Sequence, residues 1–89
     1  MDRVPEISRF LGIVIGMFYK DHNPPHFHAS YGDHEAAIGI HDGAILWGGL
    51  PRRALAHVLE WREGHVAELA EDWERARQHQ PLKPIDPLE

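Results

Sequence analysis

The spacing of apolar residues changes once along the chain. Up to Trp47 they come in short runs rich in β-branched and aromatic side chains, broken by Gly, Asp and Pro; beyond Pro51 they recur every three or four positions. After a lead-in over residues 1–5, Ile7 to Phe10 and Gly12 to Tyr19 read as two strands, or as one strand bent at Gly12. Gly16 marks a bulge or a close backbone neighbour. His26 to Tyr31, His34 to His41 and Ala44 to Trp47 follow as strands, joined by Gly32-Asp33 and by Asp42-Gly43, a dipeptide that favours a two-residue hairpin turn.

Two-residue turns at both joints fix a register. Phe27 then faces Ile38, Ile38 faces Trp47, Ala29 faces Ala36 and Ile40 faces Ile45, which puts all of them on one core face. On the opposite face His26 lies beside Gly39 and His28 beside Ala37, so the neighbours of both imidazoles are small and leave space around the rings.

Gly48 to Pro51 closes the sheet, and Pro51 suits a helix start. From Arg52 to His79 the positions Leu55, Val58, Leu59, Val66, Leu69, Trp73 and Ala76 share one stripe of a helix. Unbroken, that helix would be about 40 Å long, more than a globule of this size spans, so a break is expected at Gly64, with helices over 52–62 and 65–78. The second has Glu68, Glu71 and Asp72 early and Arg75, Arg77 and His79 late, the order its dipole favours; the first, with Arg52 and Arg53 early and Glu60 and Glu63 late, is inverted. The tail from Pro81 to Leu88 is expected to lie extended, pinned by Ile85 and Leu88. The fold class is α+β, a small antiparallel sheet of four to five strands followed by two helices on one face.

Composition narrows the function. A chain of 89 residues makes one domain with a thin stability margin that dimerisation would widen. With no cysteine there is no disulfide framework, thiolate nucleophile or thiolate zinc site. No apolar run is long enough for a signal peptide or a membrane span, and a cytoplasmic location is expected. A formal charge of −5 argues against generic nucleic-acid binding; only protonation of the eight histidines would turn the balance positive.

The chemistry concentrates in Asp21-His22-Asn23-Pro24-Pro25-His26-Phe27-His28. The prolines stiffen the approach, and His26 and His28, two apart in a strand, project from the same face. His22, His26 and His28 are candidate ligands of a divalent metal such as zinc, with Asp21 as a further ligand or an orienter of the imidazoles. His57, Trp61, His65, Glu68 and Asp72 share a face if the helix is continuous, so His65 could complete the site and Asp21, His65 or Glu68 could act as base. A purely structural role for the histidines, at a sheet–helix junction, is the alternative. Trp47 and Trp73 read as core anchors, Trp61 lies off the apolar stripe, and Arg52 and Arg53 are the most plausible anion contact.

The stretches DHNPPHFH, DGAILWGGLP, LEWREGHVAELAEDWE and IDPL resemble the domain of unknown function 4160 family of small bacterial proteins. The positions that fit its pattern include Asp21, His22, Pro24, Pro25, His26, His28, Trp61, His65 and Trp73. The resemblance implies gene neighbourhoods like those of toxin–antitoxin pairs, and so a partner protein encoded nearby. It also implies a sharper helix break at Gly64 than in most members. Two functions follow as expectations. The first is the protein-binding half of such a pair, presenting Pro24, Pro25, Arg52, Arg53 and Trp61 to its partner or to a second copy. The second is a small metal-dependent hydrolase or nuclease using the histidine cluster.

Overall fold

The computed structural model describes residues 4–89; residues 1–3, the start of the expected lead-in, lie outside the described residues. Five strands, β1 (Glu6–Phe10), β2 (Ile13–Gly16), β3 (His26–Tyr31), β4 (His34–Gly39) and β5 (Ile45–Gly49), precede two helices, α1 (Arg52–Glu63) and α2 (Val66–Arg77). The strands form one antiparallel sheet in chain order. This is the α+β arrangement expected from the sequence.

Local chemistry explains the joints. Leu11 and Gly12 both have positive φ, 51° and 78°, the pair of values that lets a two-residue turn follow the twist of its strands. Gly16 has the close neighbour its position implied: a Cβ there would overlap the Val4 side chain and stand 3.0 Å from the Pro5 carbonyl oxygen. The helical stretch breaks at Gly64, whose N–H reaches the Trp61 and Arg62 carbonyls.

The core lies between one sheet face and the two helices. Ile13, Ile15, Phe27, Ala29, Ala36 and Ile38 fill it from the sheet, and Val58, Trp61 and Leu69 from the helices, all buried. Trp61, off the apolar stripe of a straight helix, is nevertheless an anchor of this core, with its ring centroid 5.5 Å from Phe10 and 5.8 Å from Phe27. It is 1% exposed, so it offers no contact to a partner, contrary to the expectation that it belongs to a partner-binding surface.

The tail is extended and tied to the body at several points. Lys83 N–H donates to Asp72 Oδ1 (2.9 Å), Ile85 N–H to the Ile7 carbonyl (2.8 Å), and Trp61 Nε1–H to the Asp86 carbonyl (2.8 Å). Asp72 is 1% exposed, and its Oδ2 has no hydrogen-bond partner among the described residues. Burial, reinforced by the neighbouring Glu71, raises its carboxyl above the ordinary value against the opposing Lys83 N–H and the charges of Arg75 and Lys83. The folded state therefore disfavours the ionised form. The associated stability is fully present below the unfolded pKa near 4 and is lost as pH rises through the higher folded value. Asp72→Asn keeps an acceptor for Lys83 and removes the charge. It should melt higher than the parent at pH 7, the difference vanishing near pH 3; a lower melting temperature at pH 7 would mean the carboxylate is needed as such.

The β3–β4 register is the expected one: Phe27 pairs with Ile38, Ala29 with Ala36, His26 with Gly39 and His28 with Ala37. The β4–β5 register is not. Ile38 pairs with Ile45 rather than Trp47, Ala37 pairs with Trp47, and Leu46 is the extra residue of a bulge. The cause is the turn. Asp42-Gly43 does not make a two-residue hairpin; Gly39 N–H donates to the Ala44 carbonyl (2.8 Å), Gly43 N–H to the Gly39 carbonyl (3.0 Å), and Ala44 N–H to Asp42 Oδ1 (3.0 Å). Arg62 from α1 holds the loop through the Ile40 and His41 carbonyls, at 2.8 and 2.9 Å. A one-residue slip exchanges the two faces of a strand. Trp47 accordingly leaves the core and joins the histidine face, 49% exposed, and Ile45 is exposed as well.

Candidate functional site

The sheet face opposite the core carries the histidines. His26 and His28 occupy alternate positions of β3, flanked by Gly39 and by Gly16 and Ala37 in the neighbouring strands. None of the three can cover a ring. What covers them comes from farther away: Phe18 meets His28 edge-on at 4.7 Å, Trp47 lies 5.5 Å from His28, and Trp73 of α2 lies 5.3 Å from His26. Both histidines are buried, at 6% and 5% exposure.

Residues 17–25 return over this face and bring Asp21 to the rings. Its Oδ2 lies 2.9 Å from His26 Nε2 and 3.2 Å from His28 Nε2, while its Oδ1 accepts the His22 backbone N–H at 2.8 Å. Partial burial raises the Asp21 carboxyl, but the His22 N–H and the two histidines outweigh it and hold the group below the ordinary carboxylate value. It is an ionised acceptor.

The second nitrogen of each ring sets the proton count. His26 Nδ1 is 2.7 Å from the Pro24 carbonyl oxygen, which can only accept, so Nδ1 carries a hydrogen. In neutral His26 the lone pair of Nε2 would then point at the Asp21 carboxylate. That contact needs a positive centre, either a second ring proton or a metal ion. His28 Nδ1 is buried without a hydrogen-bond partner among the described residues, 3.6 Å from Glu35 Oε2.

Asp21, His26 and His28 form a group whose potential ligand atoms all lie within 4.8 Å of one another. His22 lies outside this group; its side chain is exposed and lines the cavity above it. His65 does not converge on the cluster. It precedes α2, stacks against Trp61 at 5.3 Å, and its Nδ1 pairs with Glu68, so both are spent on the helix start. The continuous helix that would have aligned them with the site is broken at Gly64. Pro24 is exposed and Pro25 half-buried, and Arg52 and Arg53 are exposed at the start of α1.

A cavity of about 430 Å³ opens on the cluster. Asp21, His26 and His28 line it, with His22 and Asn23; Phe18, Pro24, Leu46 and Trp47 supply apolar wall. Trp47 and Leu46 were missed as site residues because only the β5 slip brings them there. Sequence spacing alone carries no signal for it.

Residues 12–74 match the family model described as Domain of unknown function (DUF4160). No curated protein and no solved structure matches the chain. No helix among the described residues is long and apolar enough to cross a membrane.

Proposed function

The chain belongs to the domain of unknown function 4160 family, and for this member we propose a small metal-dependent hydrolase whose ion is held by His26 Nε2, His28 Nε2 and Asp21 Oδ2. The observation that carries the reading is the commitment of His26 Nδ1–H to the Pro24 carbonyl, which leaves Nε2 facing a carboxylate. A divalent cation between them turns that opposition into coordination. Two of the three separations fit directly: ligands about 2.1 Å from a shared ion are about 3.0–3.4 Å apart at right to tetrahedral angles, against 2.9 and 3.2 Å from Asp21 Oδ2 to the two Nε2 atoms, and all three ligand atoms lie within 4.8 Å of one another. Pro24 then orients one imidazole from behind, and Glu35 faces the Nδ1–H of the other.

Two imidazoles and a carboxylate leave coordination positions free on the cavity side, as catalytic zinc sites and two-histidine–carboxylate iron sites do. An ion held there would acidify a bound water and polarise a substrate carbonyl. His22, exposed and lining the cavity, supplies a further imidazole for proton transfer. Protein purified without a histidine tag, stripped and titrated with zinc, should bind one equivalent and melt several degrees higher. Uptake below about a tenth of an equivalent with unchanged melting would leave the rings and Asp21 sharing protons instead.

The exposed strand β5 favours a second reading, a partner-binding role in a toxin–antitoxin-like pair. At the sheet edge Ile45, Leu46 and Trp47 are 43%, 40% and 49% exposed. An edge of this kind can accept an added strand from a partner or a second copy. A monodisperse monomer that ignores the product of a neighbouring gene would count against it.

A further inference from the structure

The cavity on the cluster has a mixed lining, and its composition bears on what it takes. Asp21, His26 and His28 supply the metal-capable atoms. Phe18, Leu46 and Trp47 provide apolar surface close by, and Trp47 is half exposed although its indole lies only 5.5 Å from the His28 ring. A large aromatic left half in solvent beside a polar cluster has surface available for a flat apolar group. Among the described residues, no Lys or Arg lines the cavity. A phosphorylated ligand would therefore have the ion itself, with no ammonium or guanidinium beside it, to balance its charge. A neutral or singly charged oxygen group matches that supply better than a doubly charged phosphate.

We infer that the cavity accepts an uncharged or weakly anionic small molecule that joins an aromatic ring to an oxygen-rich, metal-binding group such as an amide, ester or hydroxamate, the ring lying against Trp47 and Leu46 while the oxygens reach the ion. The inference rests on the metal reading above and adds the class of ligand. Its volume suits a ligand of one or two rings. Trp47 is a specificity residue in this account; it holds no ligand atom of the metal.

Two probes separate the ring from the chelating group. Benzohydroxamate and acetohydroxamate grip zinc through the same two oxygens and differ in a phenyl group against a methyl. Titrated calorimetrically into the zinc-loaded protein, benzohydroxamate should bind at least ten-fold more tightly. Trp47→Ala, at a half-exposed position outside the core and with the fold checked by circular dichroism, should bring the ratio of the two affinities down by at least five-fold. The ratio is taken within each protein, so a change in zinc occupancy does not imitate the effect. Zinc binding with the same ratio in parent and variant overturns this inference and leaves the metal reading standing. Failure to bind zinc removes both. A phenyl phosphate that binds more tightly than benzohydroxamate would also overturn it, since the lining would then be reading charge rather than the ring.

Discussion

Asp21→Ala should lower zinc affinity by at least about 100-fold, the largest effect on ligand binding expected from any single change at the site. A partner that merely orients a metal ligand is worth about 10–100-fold; Asp21 would be a ligand itself, the one anionic donor of the three, with its oxygen shared between the two Nε2 atoms. The side chain also organises the loop through the His22 N–H, so some loss of order is expected on truncation. Asp21→Asn is the companion variant. It keeps the size and one oxygen but loses the charge, and should fold like the parent while binding zinc much more weakly. Calorimetric titration, with circular dichroism to confirm the fold, gives both results. Parent-like affinity in both variants would exclude Asp21 as a ligand. The apo-protein should also lose stability with Asp21→Ala, by about 1–3 kcal/mol, because two buried ring nitrogens lose their only acceptor.

Trp61→Ala should be the most damaging change to the fold itself. Deleting a buried Trp typically costs about 3–5 kcal/mol, and a chain of this length has only about 5–13 kcal/mol in all. Here the cost falls in two places. The ring fills the space between Phe10 and Phe27, and Nε1–H anchors the tail at Asp86. Trp61→Phe separates the terms: most of the packing remains, the anchor is lost, and about 1 kcal/mol is expected. Urea unfolding of the three proteins measures this. A Trp61→Ala variant as stable as the parent would mean that the core does not depend on this ring. Loss of partner binding in a Trp61 variant would report unfolding rather than a lost contact, since the side chain is enclosed.

Much of the fold was legible because its signals are local. Alternation and the Gly32-Asp33 turn fixed the β3–β4 pairing residue by residue, and hence the same-face placement of His26 and His28 beside Gly39 and Ala37. Gly64 and the length of the helical stretch located the helix break. The β4–β5 pairing was not legible, because Asp42-Gly43 is compatible with loops of more than one length, and the loop formed here is also held by Arg62, twenty or more residues downstream. That single misjudged turn sent Trp47 to the wrong face. Trp61 failed differently. Its place on an ideal helical wheel says nothing of a tail that returns to cover it and accept its N–H. At the site, Asp21 was foreseeable from its neighbours in sequence, whereas including His65 required a helix continuous across the break.

The bulge at Leu46 gives the scaffold an economical way to change its chemistry. Deleting Leu46 would remove the extra residue while keeping Ile45 opposite Ile38 and Trp47 opposite Ala37, so the opening would lose one apolar wall residue and the indole would stay beside the imidazoles. The presence or absence of the bulge residue would then decide how much apolar wall guards the opening, while Asp21, His26 and His28, carried by other segments, stayed where they are. Divergent recognition around a constant polar floor is the pattern such a joint would produce.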